Sequence, residues 1–412
     1  MTNRTLVCVL GLLLLAMLLV GQPCEAGLWD TAYDLGEGWR WTEWFGFFHA
    51  AHEPWIYHAE HGWMWCLGDS PESVWIWTED MGWLWTGGTV YPFLWRARGS
   101  VWVWYARNTD PRRFWNLDDL AWERPDGASK LEIPVTGSLQ NPAWSPDGQR
   151  ILFTRFRNGY NAEPADLMIF DLSNETVREL VADGSGNVNL PGSSWNAVTR
   201  KIAFSSSREP HDEIHLISDQ GGPGDELRIT SRTNEVAYEP TLSSNGEWIV
   251  FESHLLDVET DGVIMKRRSD GTGPYIPLTG GQDDCRQPNW SPDDARIVYQ
   301  RLDGGQWDLW CMSTDGGGPT NVTAGLGDKT DASFAPDGRR IVFSSDLGVL
   351  VGANLFWISV TGGASTRITF SGGYDGAASW SPDGGRIVFE SCPVADPDGS
   401  LGTELWVIRV HP

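Results

Sequence analysis

A short segment that recurs six times in residues 129–412 constrains the fold more than any other feature of the sequence. Its clearest copy runs from Trp380 to Phe389, where Ser-Pro-Asp-Gly forms a β-turn sequence between two β-strand sequences. In every copy, two marker residues, one in each strand, are nine residues apart. The pairs are Trp144 and Phe153, Trp195 and Phe204, Leu242 and Phe251, Trp290 and Tyr299, Phe334 and Phe343, and Trp380 and Phe389. A repeat of about 44 to 51 residues is typical of β-propeller blades.

The runs that follow each turn segment predict how many strands a blade has. A third apolar run follows in all six copies, as in Asp166–Asp171, and a fourth follows in five of them. The sixth copy has three runs, while a matching fourth run, Lys130–Thr136, precedes the first copy. We therefore predict an all-β fold that contains a six-bladed β-propeller with four strands per blade. In this fold an N-terminal strand at Leu131–Thr136 pairs beside Glu404–Val410 and closes the last blade.

Upstream of these repeats, sixteen of the 25 tryptophans lie between Gly27 and Trp122. They recur with a period of about twenty residues, and aromatic and non-aromatic residues alternate within each unit. Because successive side chains on a β-strand point to opposite faces, the pattern predicts β-hairpins with aromatic rings on one face. The units are Trp55–Trp65, Trp75–Trp85 and Trp95–Trp104, with an incomplete unit at Trp39–Phe48.

Two roles for these rings follow from their chemistry. The hairpins are too short for a conventional core, so one expectation is that stacked Trp layers provide it. The other expectation is that some rings remain accessible and stack on sugars or on cationic groups. The candidate ligand-binding rings are Trp63, Trp65, Trp83, Trp85, Trp102 and Trp104.

The N-terminal segment predicts export. Residues 1–26 have Arg4 near the start, an apolar run from Leu6 to Val20 and small residues near Ala26, as a secretory signal peptide has. About fifteen apolar residues are short for a membrane span, and an uncleaved anchor is the alternative. The predicted domains are a signal peptide at 1–26, a Trp-rich β-hairpin repeat module at 27–123, a linker at 124–128 and the propeller at 129–412. We expect a secreted, periplasmic or cell-envelope protein that is not an integral membrane protein after cleavage.

Charge and motif content narrow the classes of ligand and of chemistry. The net charge of −25 argues against nucleic acid as a direct partner, since phosphate backbones bind basic surfaces. Four cysteines follow residue 26, at Cys66, Cys285, Cys311 and Cys392, without a CxxC pair. The sequence has no Gly-x-Ser-x-Gly elbow, no Walker-type loop, no His-Glu-x-x-His and no complete calcium loop. It therefore predicts no cofactor and no metal site.

Five polar residues of the propeller repeats are candidate ligand-binding residues. Arg208, His211 and His254 follow second strands, where a propeller gathers its loops on one face near its axis. Arg286 and Gln287 begin an inner strand, from which side chains can face the central channel. His215 lies within a third strand, and we expect it to be packed.

The repeat segments resemble those of a known family. The copies Pro142–Phe153, Pro288–Asp294 and Trp380–Gly384 are similar to the WD40-like Pro-Asp repeats of TolB-type six-bladed β-propellers. This resemblance covers residues 129–412 and implies a periplasmic or extracellular protein that binds other proteins or glycans. The Trp-rich hairpins loosely resemble the aromatic repeats of choline-binding and related cell-wall-binding modules. Their choline ligand is not implied, because the Gly-x-Trp-Tyr-Tyr pattern is absent.

The sequence thus predicts an exported, non-enzymatic binding protein or scaffold. The propeller face would recognise a protein or a glycan, and the Trp module would recognise an envelope or matrix component. The alternative is a propeller-type polysaccharide lyase with an aromatic carbohydrate-binding module. Some propeller lyases use His, Arg and Gln side chains with a metal, which are the residue types of the polar set above.

Overall fold

The chain is composed of β-structure in two units. The computed structural model describes residues 28–182, 188–189, 195–208, 210–222, 224–258, 260–349, 351–392 and 401–410. The predicted signal peptide at 1–26 lies outside these residues. The chain divides into a hairpin unit, residues 1–127, and a propeller unit, residues 128–412. Over the described ranges, every regular secondary-structure element is a β-strand. None of these residues forms a helix able to cross a membrane.

The described part of the hairpin unit is one antiparallel sheet in which strands adjacent in sequence are adjacent in space. Its strands are β1 (Tyr33–Gly36), β2 (Trp39–Thr42), β3 (Gly46–His52), β4 (Trp55–His58), β5 (Gly62–Ser70), β6 (Ser73–Thr78), β7 (Gly82–Thr86), β8 (Phe93–Arg96), β9 (Val101–Ala106), β10 (Arg113–Asn116) and β11 (Ala121–Glu123). The unit at β2–β3 is therefore a full hairpin, and β10–β11 adds one beyond the sequence-predicted units.

The core of the hairpin unit lies on one face of this sheet. Phe48, Ile56, Met64, Val103 and Phe114 belong to one apolar cluster, and each is at most 1% exposed. Burying a side chain of this size stabilises the fold by about 1.5–3 kcal/mol. These residues alternate with the repeated tryptophans, which consequently lie on the other face. The expectation that stacked Trp layers provide the core is therefore wrong.

Successive hairpins are offset by two residues. Trp55 pairs with Trp65 within a hairpin, but Trp65 pairs with Trp77 of the next hairpin rather than with Trp75. Two residues of rise over two strand spacings tilt the strands by about 35°, a tilt found in β-barrels. A sheet sheared in this way curls instead of lying flat.

Contacts across the inner face show the curl directly. The His61 ring, which precedes β5, lies 4.4 Å from the Tyr105 ring in β9. Four strand spacings of a flat sheet would separate these strands by about 19 Å. The sheet therefore bends around its core cluster and leaves the Trp-bearing face outside.

The described residues of the propeller unit form six four-stranded antiparallel sheets. Blade 1 has β13 (Ser138–Trp144), β14 (Arg150–Phe156), β15 (Ala165–Asp171) and β16 (Thr176–Ala182), and blade 2 has β17 (Val188–Asn189), β18 (Lys201–Ser206), β19 (Glu213–Ser218) and β20 (Leu227–Arg228). Blade 3 has β21 (Glu235–Leu242), β22 (Trp248–Leu255), β23 (Val263–Arg268) and β24 (Ile276–Pro277), and blade 4 has β25 (Cys285–Trp290), β26 (Arg296–Asp303), β27 (Gln306–Ser313) and β28 (Thr320–Asn321). Blade 5 has β29 (Lys329–Phe334), β30 (Arg340–Ser345), β31 (Asn354–Ser359) and β32 (Thr366–Arg367), and blade 6 has β33 (Tyr374–Trp380), β34 (Arg386–Cys392), β35 (Glu404–Arg409) and, from the start of the unit, β12 (Ser129–Lys130).

The Ser-Pro-Asp-Gly segments join the first two strands of a blade through side-chain hydrogen bonds. In blade 6 the Ser381 hydroxyl donates to Asp383 Oδ1 (2.5 Å), and the Gly385 N–H donates to the same oxygen (3.0 Å). The hydrogen bond from Ser381, followed by that from Gly385, lowers the pKa of Asp383. Gly384 has a φ of +69°, a conformation that glycine adopts without strain. In blade 6 these turn residues thus stabilise the hairpin that joins β33 to β34.

The first segment of the propeller unit closes the last blade, as predicted, but the residues that pair differ from the predicted ones. Ser129 pairs with Val407 and Lys130 with Trp406, so the closing strand is Ser129–Lys130 rather than Leu131–Thr136. The Leu131 N–H still donates to the Leu405 carbonyl (2.9 Å), after which the ladder ends.

The segment after the closing strand covers the seam between blades 6 and 1. The Ile133 N–H donates to the Leu131 carbonyl and the Val135 N–H to the Ile133 carbonyl, the pattern of γ-turns. Pro134, between them, has no N–H to offer a ladder. The Leu131, Ile133 and Val135 side chains pack against a cluster drawn from both blades. Residues 131–136 therefore contribute packing rather than strand pairing.

The four cysteines among the described residues, Cys66, Cys285, Cys311 and Cys392, are buried. Burial raises the pKa of Cys285 and of Cys311 to about 11. These side chains behave as small apolar residues of the core.

Candidate functional sites

The outer side of the hairpin sheet presents an ordered set of aromatic rings. Cross-strand neighbours lie on the same face of a sheet, and Trp55 pairs with Trp65, Trp65 with Trp77 and Trp77 with Trp83. These four residues form one row of rings across four strands. Three further rows have the same construction: Trp39, His49, Tyr57 and Trp63; Trp75, Trp85, Trp95 and Trp102; and Phe93, Trp104, Trp115 and Trp122. We call these sixteen residues, together with the paired Trp41 and Phe47, the aromatic face.

The rings of the aromatic face are held in place and remain partly open to solvent. Trp63 is 54% exposed, and Trp55 and Trp75 are each 37% exposed. The Trp55 and Trp65 rings stand at 89° with centroids 5.3 Å apart, and Trp75 and Trp95 stand at 85° and 5.9 Å. Such edge-to-face packing fixes each ring while leaving part of its surface uncovered. An exposed apolar surface of this kind is a candidate interaction site.

The second candidate site is the channel between the inner strands of the propeller. In five blades the residue three positions before the marker of the first strand has a φ between +48° and +56°. These residues are Asn141, Glu239, Gln287, Asp331 and Ala377. Each lies at a shift in strand register, a β-bulge, and together they line a cavity with an empty volume of about 360 Å³. A non-glycine residue in this conformation costs roughly 1–2 kcal/mol, which neighbouring contacts must offset.

Hydrogen bonds between blades supply those contacts. The Asn141 N–H donates to Glu390 Oε2 (2.8 Å), and the Gln287 N–H donates to Glu252 Oε2 (2.7 Å). The Asp331 N–H donates to Gln287 Oε1 (2.9 Å). The bulges therefore turn backbone donors toward the acceptors of the preceding blade.

The channel gathers carboxyl groups in surroundings that disfavour their charge. Burial raises the pKa of Glu390 to about 8, and it raises the pKa of Asp331 as well. Burial and the nearby carboxylates, Glu252 first, raise the pKa of Glu239 well above its ordinary value. Tyr160 reaches over from a loop of blade 1, with its hydroxyl 3.4 Å from Glu390 Oε1 and its ring beside Tyr374. Each of these groups holds its proton more tightly than it would in water.

Three of the sequence-predicted polar residues lie at or beside this channel. Gln287 lines the cavity. His254 lies within β22 rather than in a loop and is 5% exposed, with Nε2 3.2 Å from Glu252 Oε1. Burial lowers the pKa of His254, but the hydrogen bond and the charge of Glu252 outweigh burial and raise it. Arg286 forms two hydrogen bonds to Asp284 and lies 5.1 Å from the Trp307 ring centre.

Arg208 and His211 are placed elsewhere, in the loop between β18 and β19 of blade 2. Arg208 forms an ion pair with Glu226, which also lies 2.6 Å from His215 Nδ1. Burial raises the pKa of Glu226, but the hydrogen bonds from His215 and Arg208 outweigh it and hold the pKa at about 2. His215 is 5% exposed within β19. Arg208, His215 and Glu226 therefore form an ion-pair network separate from the channel.

Sequence reasoning missed the channel carboxyl groups, although the repeats carry a signal for them. Glu252 and Glu390 directly follow the marker of the second strand, where the other copies have Thr154, Ser205, Gln300 and Ser344. Glu239 and Asp331 stand three residues before the first marker. A comparison of equivalent positions among the copies would have shown that acidic residues gather there. Among the described residues, no group of three or more His, Cys, Asp or Glu side chains is arranged to hold a metal ion.

Comparisons with known proteins bear on the propeller unit. Residues 271–394 match the family described as the TolB beta propeller domain. The chain is 32% identical over 168 residues to the uncharacterized protein Atu1656 of Agrobacterium fabrum, a stretch that covers 38% of this chain and 53% of that protein. It is 30% identical over 87 residues to the Tol-Pal system protein TolB of Francisella tularensis subsp. mediasiatica, covering 21% and 20% of the two chains. The chain thus spans about half or less of the length of the curated relatives that it matches.

The fold comparison agrees with the family match. The structure of a putative TolB from Agrobacterium tumefaciens superposes with a TM-score of 0.51 at 19% identity. The superposition covers 68% of this chain and 92% of that one. At this level of identity the likeness concerns the fold.

Proposed function

The propeller unit of this chain is a TolB-type six-bladed β-propeller, and we propose that the protein is a non-enzymatic binding protein or scaffold with two binding surfaces. The aromatic face of the hairpin unit binds a glycan of a cell envelope or extracellular matrix. The loop face of the propeller recognises a protein or a glycan. The protein acts after export, in the periplasm or outside the cell, as the composition of residues 1–26 predicts.

The aromatic face is the observation that carries this proposal. Its rings are not needed as the core, because the opposite face of the sheet provides one. They are fixed by edge-to-face contacts such as that between Trp55 and Trp65, so binding costs little side-chain entropy. When the apolar side of a sugar ring covers an indole face, the complex is stabilised by about 25 cal/mol for each Å² of apolar surface buried.

A glycan array tests the proposal directly. We expect the full chain to bind a subset of polysaccharides, and the Trp63→Ala/Trp102→Ala double variant to lose most of that binding. Leu326→Ala is the matched control, because Leu326 is an apolar residue of the propeller unit that is 80% exposed. An unchanged array pattern in the double variant, or a parent that binds no glycan, would contradict the assignment.

The lyase alternative is tested by product formation. A lyase generates unsaturated sugars that absorb in the ultraviolet, and loss of its general base lowers the rate by about 10² or more. We expect no such absorbance when the parent is incubated with acidic polysaccharides. Product formation by the parent that disappears in the His211→Ala/His254→Ala variant would replace the binding function with a catalytic one.

A further inference from the structure

One positively charged side chain already lies on the aromatic face. Arg113 stands two residues before Trp115 in the fifth hairpin, where the fourth hairpin has Phe93 two residues before Trp95. Its guanidinium carbon is 4.5 Å from the centre of the Trp122 ring. The Arg113 side chain is exposed, so this is a cation–π contact at the protein surface. The ring lattice thus accepts a cation without enclosing it.

Carboxylates flank the rings at the ends of the strands. Exposed acidic residues adjoin the ring positions in four places: Glu37 before Trp39, Glu43 after Trp41, Asp69 after Trp65 and Glu79 after Trp77. Glu37, Glu43 and Glu79 lie in the turns that follow strands of the sheet, and Asp69 lies near the end of β5, so these carboxylates border the rings. Arg113 supplies a positive charge beside the Trp122 ring, whereas these four residues supply negative charge. A ligand on this surface therefore meets ring faces and negative charge together.

The surface also repeats along one direction. Equivalent rings such as Trp55 and Trp75 recur in each hairpin, and two strand spacings separate the hairpins by about 10 Å. Two sugar units of an extended polysaccharide have about that length. A linear polymer can therefore present the same chemical group to each hairpin in turn.

We propose that the aromatic face binds a linear polysaccharide of amino sugars whose amines are free and protonated. The inference rests on the proposed function, that this face binds a glycan, and adds the charge class of the ligand. Ammonium groups lie over indole faces beside the flanking carboxylates, and the apolar sides of the sugar rings cover the remaining indole surface. A negatively charged polymer would meet the carboxylates and be repelled.

Three polymers of matched length test the charge class on the full chain. The probes are glucosamine oligosaccharides, their fully N-acetylated counterparts and oligogalacturonate, measured by isothermal titration calorimetry. We expect the amine form to bind at least ten-fold more tightly than the N-acetylated form, and oligogalacturonate not to bind. Affinity for the amine form should fall with added salt and as pH rises through the pKa of the sugar amine.

Variants separate binding at this face from general attraction to an acidic protein. Each ring removed, as in Trp55→Ala or Trp75→Ala, should weaken binding of the amine form about two- to five-fold. Glu43→Gln/Glu79→Gln changes two exposed groups and leaves the rings intact, so it should weaken the amine form at least about two-fold and leave any binding of the N-acetylated form unchanged. Leu326→Ala should bind like the parent.

The outcomes distinguish this inference from the function on which it rests. Equal affinity for amine and N-acetylated forms, or tight binding of oligogalacturonate, would overturn the charge class while a glycan-binding face remained. Amine binding that the Trp variants leave unchanged would place the ligand on another surface and overturn the inference. Failure of all three polymers and of the glycan array, with binding to phosphatidylcholine vesicles instead, would overturn both.

Discussion

Glu390 provides a test of the propeller channel, because its carboxyl group lies where water cannot solvate its charge. The residue is 2% exposed in β34, and burial raises its pKa to about 8 from an ordinary value of 4.5. The native protein therefore holds this proton where the unfolded chain releases it. Stability from this group is fully present below pH 4.5 and is lost as pH rises from about 4.5 to about 8.

The size of the effect follows from the two pKa values. Each pH unit between them is worth about 1.4 kcal/mol of unfolding free energy. From pH 4.5 to pH 7 the loss is about 3 kcal/mol, discounting the neighbouring carboxyls Glu239 and Asp331, which shift in the same direction. Glu390→Gln removes the titrating group and keeps an oxygen that accepts the Asn141 N–H. We therefore expect the variant to be more stable than the parent at pH 7 by up to about 3 kcal/mol, with a smaller difference at pH 5.

Urea unfolding at pH 5, 6, 7 and 8 measures this difference. Glu132→Gln is the matched control, because Glu132 is exposed and should change stability little at any pH. A parent whose stability does not fall between pH 5 and pH 8 would refute the reasoning. So would a Glu390→Gln variant that loses stability equally at every pH, since that result would mean that the carboxylate is charged and favourably paired.

Three further outcomes follow from the packing. A propeller that begins at Ser138 should melt at a lower temperature than one that begins at Ala128, because it lacks the Ser129–Lys130 strand and the packing of Leu131, Ile133 and Val135; equal melting temperatures would contradict closure. Gly87→Ala should cost roughly 1–3 kcal/mol, since the added Cβ would lie 2.1 Å from the Glu72 carbonyl oxygen, whereas Gly280→Ala has nothing within 4 Å and should be nearly neutral in thermal melts. Residues 27–127 expressed alone should give near-ultraviolet circular dichroism from ordered Trp rings, because the sheet encloses its own core; the spectrum of an unfolded chain would show that the unit depends on the propeller.

The features of the candidate sites that sequence could predict are those with a local pattern. Alternation assigned Trp63, Trp83 and Trp102 to one face of a hairpin sheet, because the side-chain period of a strand is two. The position of Gln287 within its repeat placed it on an inner strand, where it lines the channel. The partners of these residues come from other blades, as with the Asp331 N–H on Gln287 Oε1, and no local pattern encodes them. The length of a strand depends on its pairing with neighbouring strands, which no local pattern encodes either. The sequence therefore predicts that His254 lies in a loop, whereas its strand continues to Leu255 and buries it.

The sequence by itself determined the number and kind of the repeats. Turn segments such as Ser381–Gly384 and the run of apolar residues after them specify a four-stranded blade through contacts only a few residues apart. Only the tertiary structure decided which face of the hairpin sheet is enclosed, because the two-residue offset between hairpins sets the direction of curl, and both faces are apolar enough to serve as a core. It also decided that Ser129–Lys130 closes the last blade while the residues after it pack over the seam. That choice depends on which residues at the start of the propeller unit the closed ring of six blades brings beside β35. The sequence alone does not specify this pairing.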